Sequence, residues 1–142
     1  MDKSFLEYME IQPKTEQEVR YVNPIVLAYI GDSVYEVYIR TYVLYNQGGY
    51  VNKLHKISTK FVRAAAQAKV VHNLENELSE EEWTVVKRGR NQKSNTVPKN
   101  ADLRDYKYAT GFEALIGYLF LLGRKDRIKE IVKRAIEIIE ES

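Results

Sequence analysis

Apolar positions along this chain recur with the period of a helix, and no segment alternates as a strand does. Leu54, Ile57, Phe61 and Ala64/Ala65 fall at steps of three and four, and Ala68, Val71 and Leu74 continue the series. That is the spacing of one helix face. Ile128, Ile131, Val132, Ala135, Ile136, Ile138 and Ile139 repeat it between Lys125 and Glu140, with Lys and Glu between them. The punctuation agrees. Asn23-Pro24 supplies a cap residue and a proline at the first helical position. The helix it starts runs to about Tyr45, where Gln47-Gly48-Gly49 ends it. A second helix spans about 51–78 with room for a break. Ser79 starts another, with Glu82 three residues on as a capping box. It gives way to the polar loop RGRNQKSNTVPKN. A helix begins near Asp102 or Asp105 and reaches about Leu122, where Gly123 closes it. Residues 1–20 are polar, contain Pro13 and read as an N-terminal extension, with a short helix over Lys3–Met9 followed by a loop. The predicted fold is all-α, one domain over residues 1–142.

Two stretches break the usual mix of charged and apolar residues. YVNPIVLAYIGDSVY, from Tyr21 to Tyr35, carries one charge, Asp32. YATGFEALIGYLFLLG, from Tyr108 to Gly123, also carries one, Glu113. A carboxylate buried in such a run must be paired, neutralised or bound to metal. Neither stretch supplies its own cation. Acids of this kind hold hard cations such as Mg²⁺, which needs only one or two carboxylates besides water and phosphate oxygens. The plainer reading is a salt bridge to an Arg or Lys of another helix, and the pattern alone leaves both open. Gly31, beside Asp32, leaves room for another backbone to approach. Glu36, one turn after Asp32, shares its face and could act on the site through an outer water. Tyr35, Tyr38, Tyr42 and Tyr45 form a stripe suited to core or interface packing, or to stacking on bases.

Composition narrows the class. Of 142 residues, 44% are hydrophobic and 30% charged, with no cysteine. This suits a single soluble domain and excludes a disulfide framework. No apolar run is long enough to span a bilayer, and the acidic start MDKSFLEYMEIQ has no signal-peptide core. These features fit the cytoplasm. His55 and His72 match no ligand spacing, and there is no phosphate-cradling loop or serine elbow.

The net charge of +2 hides a segregation. No acid lies between Glu36 and Glu75, while Arg40, Lys53, Lys56, Lys60, Arg63 and Lys69 do. None lies between Glu82 and Asp102, where Lys87, Arg88, Arg90, Lys93 and Lys99 appear. Either block could be a solvated helix face. Two of them around the lone carboxylates point to a polyanion. Lys53, Lys56, Lys60, Arg88, Arg90 and Lys93 are the candidate phosphate contacts.

The segments LAYIGDSVYE (Leu27–Glu36) and GFEALIG (Gly111–Gly117) resemble the two signature helices of the ribonuclease III catalytic domain. The loop KRGRNQKSNTVPKN (Lys87–Asn100) looks like that of the short, Mini form of the family, which lacks a double-stranded-RNA-binding domain. In order, the three span most of the chain. The resemblance implies a dimeric, all-helical endonuclease for double-stranded RNA. Asp32 and Glu113 match the essential aspartate and glutamate and would hold Mg²⁺, or Mn²⁺ in its place. Cleavage would leave 5′-phosphate and 3′-hydroxyl ends. The implied substrate is precursor 23S ribosomal RNA, trimmed near both ends, with a ribosomal protein as a further partner. The sequence departs from full-length members at Ala28 and Thr110, where they carry acids. That leaves two rivals: a non-catalytic dimeric RNA-binding scaffold in ribosome assembly, and a helical metal-dependent nucleotide hydrolase.

Overall fold

The structure, a computed structural model, describes residues 4–93 and 102–142. These form helices and turns, with no strand among the described residues. The helices are α1 (Phe5–Tyr8), α2 (Glu16–Arg20), α3 (Pro24–Gln47), α4 (Val51–Val62), α5 (Ala64–Leu74), α6 (Glu80–Arg90), α7 (Leu103–Leu121) and α8 (Lys125–Glu140). The expected caps are in place. Asn23 accepts from the Ile25 amide, Ser79 and Glu82 form a capping box, and Asp102 accepts from Arg104 and Asp105. Gly48 at φ +61 and Gly123 at φ +73 take the left-handed turns that end α3 and α7.

Two features differ from the sequence reading. The extension is not all loop after its first turn, because Thr15 and Glu18 form a capping box and start α2. The stretch over 51–78 has the break that its reading allowed, and it ends at Leu74 rather than near 78. Arg63 is extended (φ −64, ψ 154) and separates α4 from α5. The polar loop from Ser94 on, with Lys99, lies outside the described residues.

Helix α7 is the centre. Its sequence is apolar almost all round, and a helix of that kind is stable only when covered on every side. Ala109, Gly111, Phe112 and the run Ala114–Leu119 are buried, with α3, α5 and α6 packed around them. Each large apolar side chain buried here contributes roughly 1.5–3 kcal/mol as an upper figure. Tyr35 of α3 meets Phe112 edge to face at 4.9 Å and donates its hydroxyl to the Phe61 carbonyl at 3.4 Å. So one tyrosine of the α3 stripe is core, whereas Tyr45 at the other end is exposed.

The α3–α7 crossing is set by backbone. A Cβ placed on Gly31 would lie 1.7 Å from the Glu113 carbonyl oxygen, and one on Gly117 would lie 1.9 Å from that of Leu27. No side chain fits at either point, so the two helices touch main chain to main chain. The room expected beside Asp32 is filled by the residue that carries the second acid.

Acids and arginines clamp the opposite side. Arg127 of α8 meets Glu82 of α6 at 2.7 Å, and Arg134 meets Glu77 at 2.9 Å. Arg124 pairs with Glu81 at 3.1 Å and with Glu16 of α2, which ties the N-terminal segment to the bundle.

Candidate active site

The two lone acids come together. Burial pushes the Glu113 carboxyl up, and Asp32 adds to this by repelling its charge and by hydrogen-bonding its protonated form. The result is a proton held to about pH 8. Glu36 adds a weaker repulsion, although its own carboxylate pairs with Arg40 at 2.8 Å. No basic side chain forms an ion pair with Asp32 or Glu113 among the described residues. This rules out, for them, the plainer reading as partners of an Arg or Lys.

Asp32 is not buried, as its apolar surroundings suggested. It is exposed on α3, three residues after Tyr29, which is 75% exposed. Of the apolar residues one turn away, Tyr29 faces outward while Ala28 and Tyr35 are buried, so the acid stands at the edge between an outer surface and the core. Only Glu113 is partly enclosed.

Gln67 completes the arrangement, and the sequence reading passed over it. Its side chain is fully buried between α5 and α7. Its amide nitrogen donates to the Val62 carbonyl at 2.9 Å and to Glu113 Oε2 at 3.5 Å. A signal was present, since Gln67 is a polar residue inside the apolar series that runs on to Val70, Val71 and Leu74.

The donor set suits a hard divalent cation. Two carboxylates face each other, and one retains a proton because it is buried beside the other. A cation there would take the proton's place. The described residues hold no cluster of three or more His, Cys, Asp or Glu suited to a metal, and the two carboxylates would offer oxygen ligands alone, the kind Mg²⁺ and Mn²⁺ accept. Ala28 is buried in the α3 core, and the Thr110 hydroxyl donates to the Tyr106 carbonyl at 3.0 Å. Neither can replace the acid of full-length family members.

The basic candidates fall in two groups. Lys53, Lys56 and Lys60 are exposed along α4, and none forms a salt bridge among the described residues. Arg88 donates to the Arg20 carbonyl at 3.0 Å, which places it toward α2. Arg90 lies 5.5 Å over the Tyr108 ring and bonds Asn91 Oδ1 at 3.1 Å. Lys93 is exposed beyond the end of α6. Arg104 also lies over Tyr108, at 6.0 Å, and His72 meets the same ring at 4.5 Å. This cluster belongs to the seam that carries Gln67 and Glu113. His72 is five residues past Gln67 and Tyr108 five before Glu113, about 7.5 Å along each helix.

Comparison with known proteins gives the family. The ribonuclease III domain family matches residues 25–124. Mini-ribonuclease 3 of Clostridium tetani is 53% identical over 129 residues, which cover 90% of this chain and 85% of that protein. Mini-ribonuclease 3 of Thermoanaerobacter sp. is 47% identical over 142 residues, 99% of this chain and 100% of that one. The crystal structure of a Fusobacterium nucleatum protein superposes with a TM-score of 0.76 at 33% identity, covering 84% of this chain and 96% of that one.

Proposed function

The chain belongs to the ribonuclease III family of endoribonucleases, in its Mini-ribonuclease 3 branch, and on that premise we propose that it cuts double-stranded RNA as a homodimer with Mg²⁺ or Mn²⁺. The observation that carries the reading is the Asp32–Glu113 pair, two carboxylates in contact with no cationic side chain to balance them among the described residues. We assign maturation of precursor 23S ribosomal RNA in the cytoplasm as its task.

Asp32 and Glu113 would hold the cation. Bound there, it supplies an activated water and offsets charge that develops on the phosphoryl oxygens. In the hydrolysis the water oxygen bonds to phosphorus, the bond to O3′ breaks, and O3′ takes a proton. The products are 5′-phosphate and 3′-hydroxyl ends. Glu113 must shed its proton to serve, so cation binding and proton loss are linked.

Lys53, Lys56, Lys60, Arg88, Arg90 and Lys93 would grip phosphates. Duplex RNA hides its base edges in a deep, narrow major groove, so shape, phosphates and 2′-hydroxyls are what a protein reads. The outer face of α3 supports pairing of two copies. Ile25, Val26, Tyr29, Val37 and Leu44 are between 43% and 75% exposed there, and a contiguous apolar surface of this kind marks an interaction site. Beside it lies an apolar cavity of about 520 Å³, lined by Phe5, Ile30, Val34, Val37 and Phe120 among others. With two chains paired, each acid site would cut one strand.

Loss of the acids at Ala28 and Thr110 favours one rival, a dimeric scaffold that binds duplex RNA and leaves it whole. Incubation with precursor 23S ribosomal RNA, with and without Mg²⁺, followed by mapping of the ends, separates the two. Metal-dependent cuts near the mature ends are the expected result. Intact RNA under conditions where the chain binds it would favour the scaffold.

A further inference from the structure

We propose that Gln67 is a positioning residue for Glu113, fixing the carboxylate through which the site holds its divalent cation. The inference rests on the reading of Glu113 as a metal-holding carboxylate and names a residue that supports it.

Helix α4 stops at Val62 because Arg63 is extended. The last carbonyls of a helix have no partner within it. Gln67 lies five residues on, in the first turn of α5, and its amide nitrogen donates to the Val62 carbonyl at 2.9 Å. That bond orients the carboxamide. The opposite flip would set Oε1 against the carbonyl oxygen, two acceptors face to face. With the orientation fixed, the same nitrogen reaches Glu113 Oε2 at 3.5 Å.

The cost of this arrangement is visible. Gln67 is 1% exposed, and its Oε1 is buried with no hydrogen-bond partner. A buried acceptor left unmade is destabilising, and such an atom in a folded protein calls for an explanation. Packing does not supply one, because the position lies in the apolar series of α5 and a leucine or methionine would fill it. What only the carboxamide adds is a neutral donor aimed at Glu113. A lysine or arginine there would neutralise the glutamate and compete with a cation. An amide orients the carboxylate and leaves its charge available. Partners that orient a metal-holding carboxylate in this way typically change metal affinity or activity by 10–100-fold when removed.

The test uses the full chain with Gln67→Met, which keeps volume and removes the donor, and Gln67→Glu, which keeps shape and replaces the donor with an acceptor. Mn²⁺ binding is read by electron paramagnetic resonance without RNA, and cleavage of a duplex RNA is followed against Mg²⁺ concentration. Gln67→Met is expected to weaken Mn²⁺ binding about tenfold, to raise the Mg²⁺ needed for half-maximal cleavage similarly, and to leave KM for RNA unchanged. Gln67→Glu is expected to bind Mn²⁺ at least as well as Gln67→Met, because it adds charge, yet to stay slower than the parent at saturating metal. Folding is checked by circular dichroism and melting temperature. Unchanged Mn²⁺ affinity and Mg²⁺ dependence in a folded Gln67→Met would overturn the proposal and leave Gln67 as a cap for Val62 alone. Glu113→Gln is run beside it. If that variant cleaves like the parent, the reading of Glu113 itself fails. If it is inactive while Gln67→Met is normal, only the present inference fails.

Discussion

This molecule treats its acids in two opposite ways. On the α6–α8 side, Glu77, Glu81 and Glu82 each meet an arginine, and their carboxyls are held below the ordinary range, in Glu81 and Glu82 despite the opposing effect of burial. On the α3–α7 side, burial and then the neighbouring Asp32 push the Glu113 carboxyl up to about 8. Both sets surround one core. The first is electrically closed and needs nothing from outside. The second has no cationic partner among the described residues, and a carboxylate so perturbed beside another is the kind of group that functional sites collect.

The sharpest way to break this contrast is to mutate each side and ask what is lost. Asp32→Asn should lower cleavage by about a thousandfold or more, since it removes half of the protein's share of a metal site, while dimerisation and most RNA binding remain. Gel-based cleavage with Mg²⁺ and analytical ultracentrifugation read the two outcomes, and near-normal cutting would sink the assignment. Glu82→Ala should do the reverse. It removes the shorter of the two ion pairs of Arg127 and the reciprocal half of the Ser79 capping box, at a cost of about 1–2 kcal/mol. Denaturant unfolding should show that loss, with kcat unchanged wherever the protein stays folded.

The two sides should also answer pH in opposite directions. The folded pKa of Glu113 lies above its unfolded value, so the stability its protonated form confers is full below about pH 4.5 and is lost as pH rises toward 8. For Glu77, Glu81 and Glu82 the folded value is depressed, so their contribution is present above the ordinary carboxylate value and is lost as pH falls. Melting temperatures in EDTA should therefore decline between pH 5 and 8, and Glu113→Gln should flatten that decline. A parent curve that does not fall over this range would remove the raised Glu113 carboxyl from the account. The smallest effect is expected on α4. If Lys56 grips one phosphate, Lys56→Ala should make the salt dependence of RNA binding shallower by about one unit of slope, with kcat unchanged. An unchanged slope would take Lys56 out of the interface.

Most of the scaffold was legible in the sequence because its helix ends are chemically marked. Asn23-Pro24, Ser79 with Glu82, Asp102 and the glycines at 48 and 123 each satisfy or release backbone groups in a known way, and they mark both ends of α3 and α7 and the start of α6. Helix α2 had the same signal in Thr15 and Glu18 but is short and lies in a polar stretch. The break at Arg63 had none, since no glycine or proline marks it and three alanines follow. The acids were visible as lone charges in apolar runs. Their separate exposures were not, because an outward apolar face and an inward one look alike in sequence. Gln67 was obscured for a different reason: its partner is 46 residues away.

The close approach at Gly31 bears on how this chain can change over generations. Main chain rests on main chain there, between the residue before Asp32 and Glu113 itself. The spacing of the two acids is thus gauged by atoms that every amino acid has in common. Leucines and isoleucines elsewhere in the interior could be exchanged for others of similar bulk with little effect on that gauge. The two glycines could not. Drift in the interior is thereby uncoupled from drift at the acids, and a lineage could rework most of its packing while the distance that matters for chemistry stays put.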